Sequence, residues 1–135
     1  MGYQSAGITF NGLLNYSTMI EFTYKLQGDG RDSWGVKEFK DGELVNAFMI
    51  YEEPIHWLTK KLSVAFDLKF ETYWKAKGYS DISDLLSHAA NPESVYHSEA
   101  LSLVQWSHDE WEVAIADLDE NSNIEEIING LEPYE

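Results

Sequence analysis

The stretch WGVKEFKDGELVNAFMIY, residues 34–51, decides the fold. At its centre lies Asp41-Gly42, and both residue types tolerate positive φ. That is the requirement of the two-residue turn whose twist matches a pair of antiparallel strands. The flanks, Trp34 to Lys40 and Glu43 to Tyr51, therefore read as the two arms of a hairpin. Upstream, Ile20, Phe22, Tyr24 and Leu26 alternate with Glu21, Thr23 and Lys25, the period-two pattern of a half-buried strand. Gly28-Asp29-Gly30-Arg31-Asp32 reads as the loop between them. The result is a three-stranded antiparallel meander over residues 18–51. In the first 17 residues only a short strand around Ile8–Phe10 is expected.

Past Glu53 the period changes. Leu58, Leu62, Ala65, Phe66, Phe70, Tyr73 and Trp74 recur at spacings of three and four, which predicts an amphipathic helix of about 20 residues. Glu52 and Glu53 stand at its start and Lys75 and Lys77 in its last turn, the signs its macrodipole favours, and Gly78 suits the position after its end. Ser80 is the expected cap of a short helix with inner face Ile82, Leu85, Leu86 and Ala89. Asn91-Pro92-Glu93 reads as the start of a third helix. Its expected stripe is Leu101, Val104, His108, Trp111, Ile115 and Leu118, widened by Tyr96, Ala100 and Leu103. Asn121 or Ser122 would cap a last turn carrying Ile124, Ile127 and Ile128, ended by Gly130, and the tail from Leu131 is expected to fray. The fold class is α+β, a small N-terminal antiparallel β-meander followed by three or four α-helices. A single domain spans 1–135, with a β-rich part over 1–52 and a helical part over 53–135.

Charge divides the chain differently. Residues 1–77 hold all 9 Lys+Arg with 10 Asp+Glu, net −1, whereas residues 78–135 hold 14 Asp+Glu and no Lys or Arg, net −14. A formal charge of −15 repels bare DNA, RNA and anionic membranes, so neither direct nucleic-acid binding nor a membrane partner is expected. The 44% apolar and 14% aromatic content argues against disorder in spite of that charge. Cysteine is absent, which removes disulfides, thiolate nucleophiles and Cys-ligated zinc. No basic leader with an apolar run and no bilayer-length apolar stretch is legible, so a soluble, cytosolic chain is the expectation.

Catalytic patterns do not emerge. His56, His88, His97 and His108 fall on expected helices without the i, i+4 pairing of a zinc site. Asp29 and Asp32 flank an arginine, which works against a calcium loop. The carboxylate pairs lie near helix ends or on solvated faces rather than in the apolar settings that raise a carboxyl pKa. The reading is that of a non-enzyme, with no catalytic residue, no metal and no cofactor. Trp106 and Trp111 are the informative aromatics, pointing about 140° apart on an ideal helix. That separation allows one to face the core and the other a neighbour.

Gly78-Tyr79-Ser80, a short helix, Ala89-Ala90-Asn91-Pro92, Ser98-Glu99-Ala100 and then Trp106 with Trp111 resemble a C-terminal segment of tailed-phage tail-associated proteins, often tail-fibre or tail-fibre-assembly related. The likeness covers residues 77–112. Ser107 stands where that pattern has arginine, and His88-Ala89 where it has Tyr-Ala. The resemblance implies a phage structural or tail-assembly protein working through protein–protein contacts, in the host cytoplasm during assembly or in the virion tail. Its implied partners are other phage structural proteins with a basic surface; a homo-oligomer is also compatible. The expected contact surface is the outer face of 92–118, with Trp106 or Trp111 as anchor and Asp109, Glu110 and Glu112 as rim, together with the edge of strand 18–26. The competing expectation is an acidic nucleic-acid mimic that inhibits a DNA-binding enzyme or host defence complex.

Overall fold

The computed structural model describes residues 18–26 and 30–135. Strands β1 (Thr18–Leu26), β2 (Asp32–Lys40) and β3 (Glu43–Ile50) form an antiparallel sheet in the order β1-β2-β3. Helices α1 (Pro54–Ala76), α2 (Ile82–Ala90), α3 (His97–Ala116) and α4 (Ile124–Asn129) follow. The α+β expectation holds. The strand expected around Ile8–Phe10 and residues Gly28 and Asp29 of the expected loop lie outside the described residues.

The hairpin turn forms where its chemistry demands. Asp41 and Gly42 have φ of 54° and 82°, the mirror-image turn that only residues tolerant of the left-handed region close. Two residues further on, the ladder slips: Phe39 faces Leu44 but Glu38 faces Asn46, leaving Val45 as the extra residue of a bulge. One sheet face then carries Phe22, Trp34, Val36 and Ile50 against Leu58 of α1, with Trp57 packed at the border. Leu26, expected on that face, is exposed at the end of β1.

Helix α1 is the spine. Its buried side chains, Leu58, Leu62, Phe66, Phe70 and Trp74, recur every four residues along one stripe. Each turn of that stripe meets a different partner. Leu58 belongs to the sheet cluster, Leu62 and Phe66 pack with Ala114 and Leu131, and Phe70 and Trp74 pack with Tyr79, Leu85, Ala100 and Leu103. Gly78, at φ 98°, turns the chain out of α1.

Several boundaries differ from the sequence expectation, each for a local reason. Helix α2 is capped by Asp81, not Ser80: Asp81 Oδ1 accepts from Asp84 N at 2.8 Å, while Asp84 Oδ2 reaches back to accept from Ser80 N at 2.9 Å. Helix α3 starts at His97 rather than at Pro92. Asn91 Oδ1 takes the N–H of Glu93 and Ser94 Oγ takes that of Tyr96, so side-chain acceptors hold residues 91–96 as successive turns instead of a helical first turn. Helix α4 is capped by Asn123, whose Oδ1 accepts from Glu126 N while its Nδ2 donates to Thr18 O, tying α4 to the start of β1. That long-range bond selects Asn123 over its neighbours Asn121 and Ser122. Finally, the C-terminal tail is docked rather than frayed: Leu131 is buried, and Tyr134 packs against Tyr73 with its hydroxyl donating to Ser102 Oγ.

Candidate protein-interaction surface

Helix α3 carries Trp106, Asp109, Glu110, Trp111 and Glu112, and its buried stripe explains how it presents them; the other expected contact, strand 18–26, is β1 at one edge of the sheet. That stripe is Ala100, Leu103 and Ala114. Leu101 and Ile115, expected to be central to it, are exposed, as are Ile82 and Leu86 on α2. The sequence expectation followed the bulkiest apolar residues. The packing follows the smallest: Ala100 and Ala114 let α3 lie close to its neighbours while aromatic rings from α1 fill the remaining space.

Trp106 and Trp111 flank this stripe, one on each side. Phe66 of α1 is clasped between them, stacked on Trp106 at 5.6 Å with 16° between planes and edge-on to Trp111 at 5.3 Å. Trp106 also stacks on Phe70 and meets Tyr73 edge-on. Its indole Nε1 donates to Glu132 O at 2.8 Å. Separation by about 140° thus turns neither ring directly outward; the two straddle a third ring.

The three carboxylates divide as well. Glu110 is half-buried and its Oε1 accepts the backbone N–H of Glu132 at 2.9 Å, so it clamps the tail together with Trp106. Asp109 and Glu112 are exposed, three residues apart on the outward face of α3, and Asp109 accepts from Gln105 Nε2 at 3.1 Å. The five expected contact residues therefore separate into an aromatic clasp, a tail clamp and an outward acidic pair. Past α3, Asp117, Asp119 and Glu125 are exposed too.

Three lysines are engaged elsewhere. Lys60 of α1 pairs with Glu52 in the connection before the helix at 2.8 Å, Lys61 of α1 with Glu38 of β2 at 2.9 Å, and Lys75 with Glu71 within α1 at 3.5 Å. With no Lys or Arg past position 77, the acids of α3 have only histidines, His97 and His108, as basic residues on their own helix. Their negative potential is available to a partner.

Two further features escaped sequence reading. At the α2–α3 corner, His88 Nδ1 lies 2.6 Å from Ser94 Oγ and His88 Nε2 lies 3.3 Å from Asp84 Oδ1. Hydroxyl, imidazole and carboxylate in a row are the parts of an activated nucleophile, but each is also bonded into the corner. Ser94 Oγ accepts from Tyr96 N, and the imidazole is packed by the Tyr79 and Tyr96 rings. The row holds a turn. The Ser80 backbone N–H on Asp84, followed by the Ser80 hydroxyl and His88, keeps that carboxyl below the usual range. Beside it, buried Tyr79 donates to Glu99 Oε1 at 2.9 Å; burial first, then this bond, pushes the phenol up to about 12. The spacings 84, 88 and 94 match no motif, which is why the row is invisible before folding.

The second feature is a groove of about 600 Å³ between α1 and α3. Phe66, Phe70, Trp74 and Trp111 line it, Ile82 stands at one end, and Asp67 and Glu71 lie along the α1 side. A smaller cleft of about 370 Å³ lies where β1, β2, α1 and α4 meet. Among the described residues no group of three or more His, Asp or Glu is arranged to hold a metal ion, and no helix is long and apolar enough to cross a membrane. Compared with known proteins, the chain matches no family model, no curated protein and no solved structure.

Proposed function

We propose that this protein is a structural or assembly component of a tailed phage, a tail or tail-fibre part or the chaperone of one, and that it acts by protein–protein contact. The observation that carries the reading is the outward acidic face of α3, Asp109 and Glu112, in a half of the chain without a single Lys or Arg. Such a face steers a basic partner toward it and discourages self-association. The tail-protein resemblance supports the same reading. Its residues pack α2 and α3 onto α1: Gly78 turns out of α1, Tyr79 and Ala100 are buried, and Trp106 and Trp111 clasp Phe66.

Affinity purification of the full chain from phage-infected cells, with mass-spectrometric identification of what is retained, tests the proposal. A tail or tail-fibre protein should be retained at moderate salt and lost from the Asp109→Lys/Glu112→Lys variant. Retention of a nuclease or defence complex that added duplex DNA displaces would transfer the reading to nucleic-acid mimicry. Retention of neither class overturns both.

A further inference from the structure

We infer that the groove between α1 and α3 receives an amphipathic helical segment of a partner protein, its apolar side on the aromatic floor and its lysines or arginines against Asp67 and Glu71. This rests on the reading above that the protein works by protein contact, and it adds a second contact surface, distinct from the outer face of α3.

Shape comes first. The α1 residues of the groove run from Ser63 to Trp74 at spacings of three and four, so the concavity follows about three helical turns, on the order of 16 Å. A length of that kind suits a short helix laid into a groove. The floor is aromatic, and Ile82, which should have been buried on α2, is 43% exposed at its mouth. An apolar residue left open at the end of an aromatic trough is surface that a partner's apolar face would cover.

Charge then selects the occupant. Asp67 is exposed, and Glu71 pairs with Lys75 at 3.5 Å, an exposed pair that a partner's cation can displace at little cost. A cation beside half-buried Trp111 would also gain from the face of its ring. A second copy of this chain would bring −15 onto −15, which opposes self-docking. The occupant is therefore basic on one side, apolar on the other and foreign to this chain.

The test uses the full chain and a fluorescein-labelled peptide of about 14 residues, with leucines at helical spacing on one side and lysines elsewhere. Controls are a shuffled peptide of equal composition and one with glutamate for lysine. Saturable binding should be about tenfold tighter than for the shuffled peptide. The variants Asp67→Lys/Glu71→Lys and Ile82→Lys should each weaken it about tenfold, while Asp109→Lys/Glu112→Lys changes it by about twofold at most. Chemical shifts of the Trp111 indole and Ser107 amide should move on titration. Equal binding of the shuffled peptide, equal loss in the outer-face variant, or shift changes away from α1 and α3 each overturn the groove. If the groove fails while a tail protein is still lost from the Asp109→Lys/Glu112→Lys variant, the functional reading stands; if neither set of variants affects tail-protein retention, that reading falls instead.

Discussion

Helices α1 and α3 are the two long helices of this protein, and they encode their packing in opposite ways. Helix α1 buries one large side chain every four residues, from Leu58 to Trp74, and its charged residues lie off that stripe. Helix α3 buries two alanines and a leucine and leaves Leu101, Val113 and Ile115 exposed. The cause lies in what each helix meets. Helix α1 supplies the bulk that fills three clusters, so its stripe must be large. Helix α3 receives that bulk, so its contact positions must be small, and its own large rings move to the flanks of the stripe. Periodicity of size finds the first kind of helix and misplaces the second.

Substitutions can break this contrast in a graded series. Phe66→Ala empties the space between Trp106 and Trp111 and should cost about 3–5 kcal/mol in urea unfolding. Both indoles should shift in emission. If the clasp is absent, the loss will be well below that range and fluorescence will not change.

The next largest effect compares two leucines on α3. Leu103 is 0% exposed and Leu101 is 46% exposed. Leu103→Ala should cost about 2–5 kcal/mol, and Leu101→Ala should stay within about 0.5 kcal/mol of the parent. Equal losses would mean that α3 is rotated from the stripe described above.

Capping gives a smaller contrast at α2. Asp81→Ala removes the acceptor of the Asp84 N–H and should lower stability by about 1 kcal/mol. Ser80→Ala, at the position sequence reading favoured, keeps the Ser80 backbone N–H bond to Asp84 and should change stability by about 0.5 kcal/mol or less. Reversed magnitudes in thermal unfolding would return the cap to Ser80.

A further contrast is a pH dependence at the α2–α3 corner. Tyr79 has a folded-state pKa of about 12 against an ordinary 10.0, so the folded protein holds the phenolic proton more tightly than the unfolded chain does. Stability from this group is complete below pH 10 and is lost as pH rises toward 12. Tyr79→Phe should flatten the stability profile in that window and remove one late tyrosinate transition from the absorbance titration. A parent profile as flat as the variant's would contradict the burial of Tyr79 and its bond to Glu99.

How much was legible before folding follows from the same contrast. The meander was readable because its signals are local: alternation at Ile20, Phe22 and Tyr24, and a turn whose two residues accept positive φ at Asp41 and Gly42. Helix α1 was readable because one stripe served throughout. The bulge at Val45, the starts of α3 and α4 and the docked tail were not, because each depends on a partner distant in sequence or on a side chain competing for a backbone donor. Of the five expected contact residues, Asp109 and Glu112 lie outward as periodicity with the new stripe requires, whereas Trp106, Trp111 and Glu110 are engaged by α1 and the tail.

By itself the amino-acid order determined the element types, the hairpin turn, the α1 stripe and the confinement of every Lys and Arg to the first 77 positions. These are properties of neighbours along the chain, where propensity, period and charge act without knowledge of the fold. Only the tertiary structure decided which face of α3 is buried, which residues cap α2 and α4, and that an aromatic trough with an acidic wall opens between α1 and α3. Those features arise where side chains far apart in sequence compete for the same space, and the competition is settled by volume and hydrogen-bond geometry.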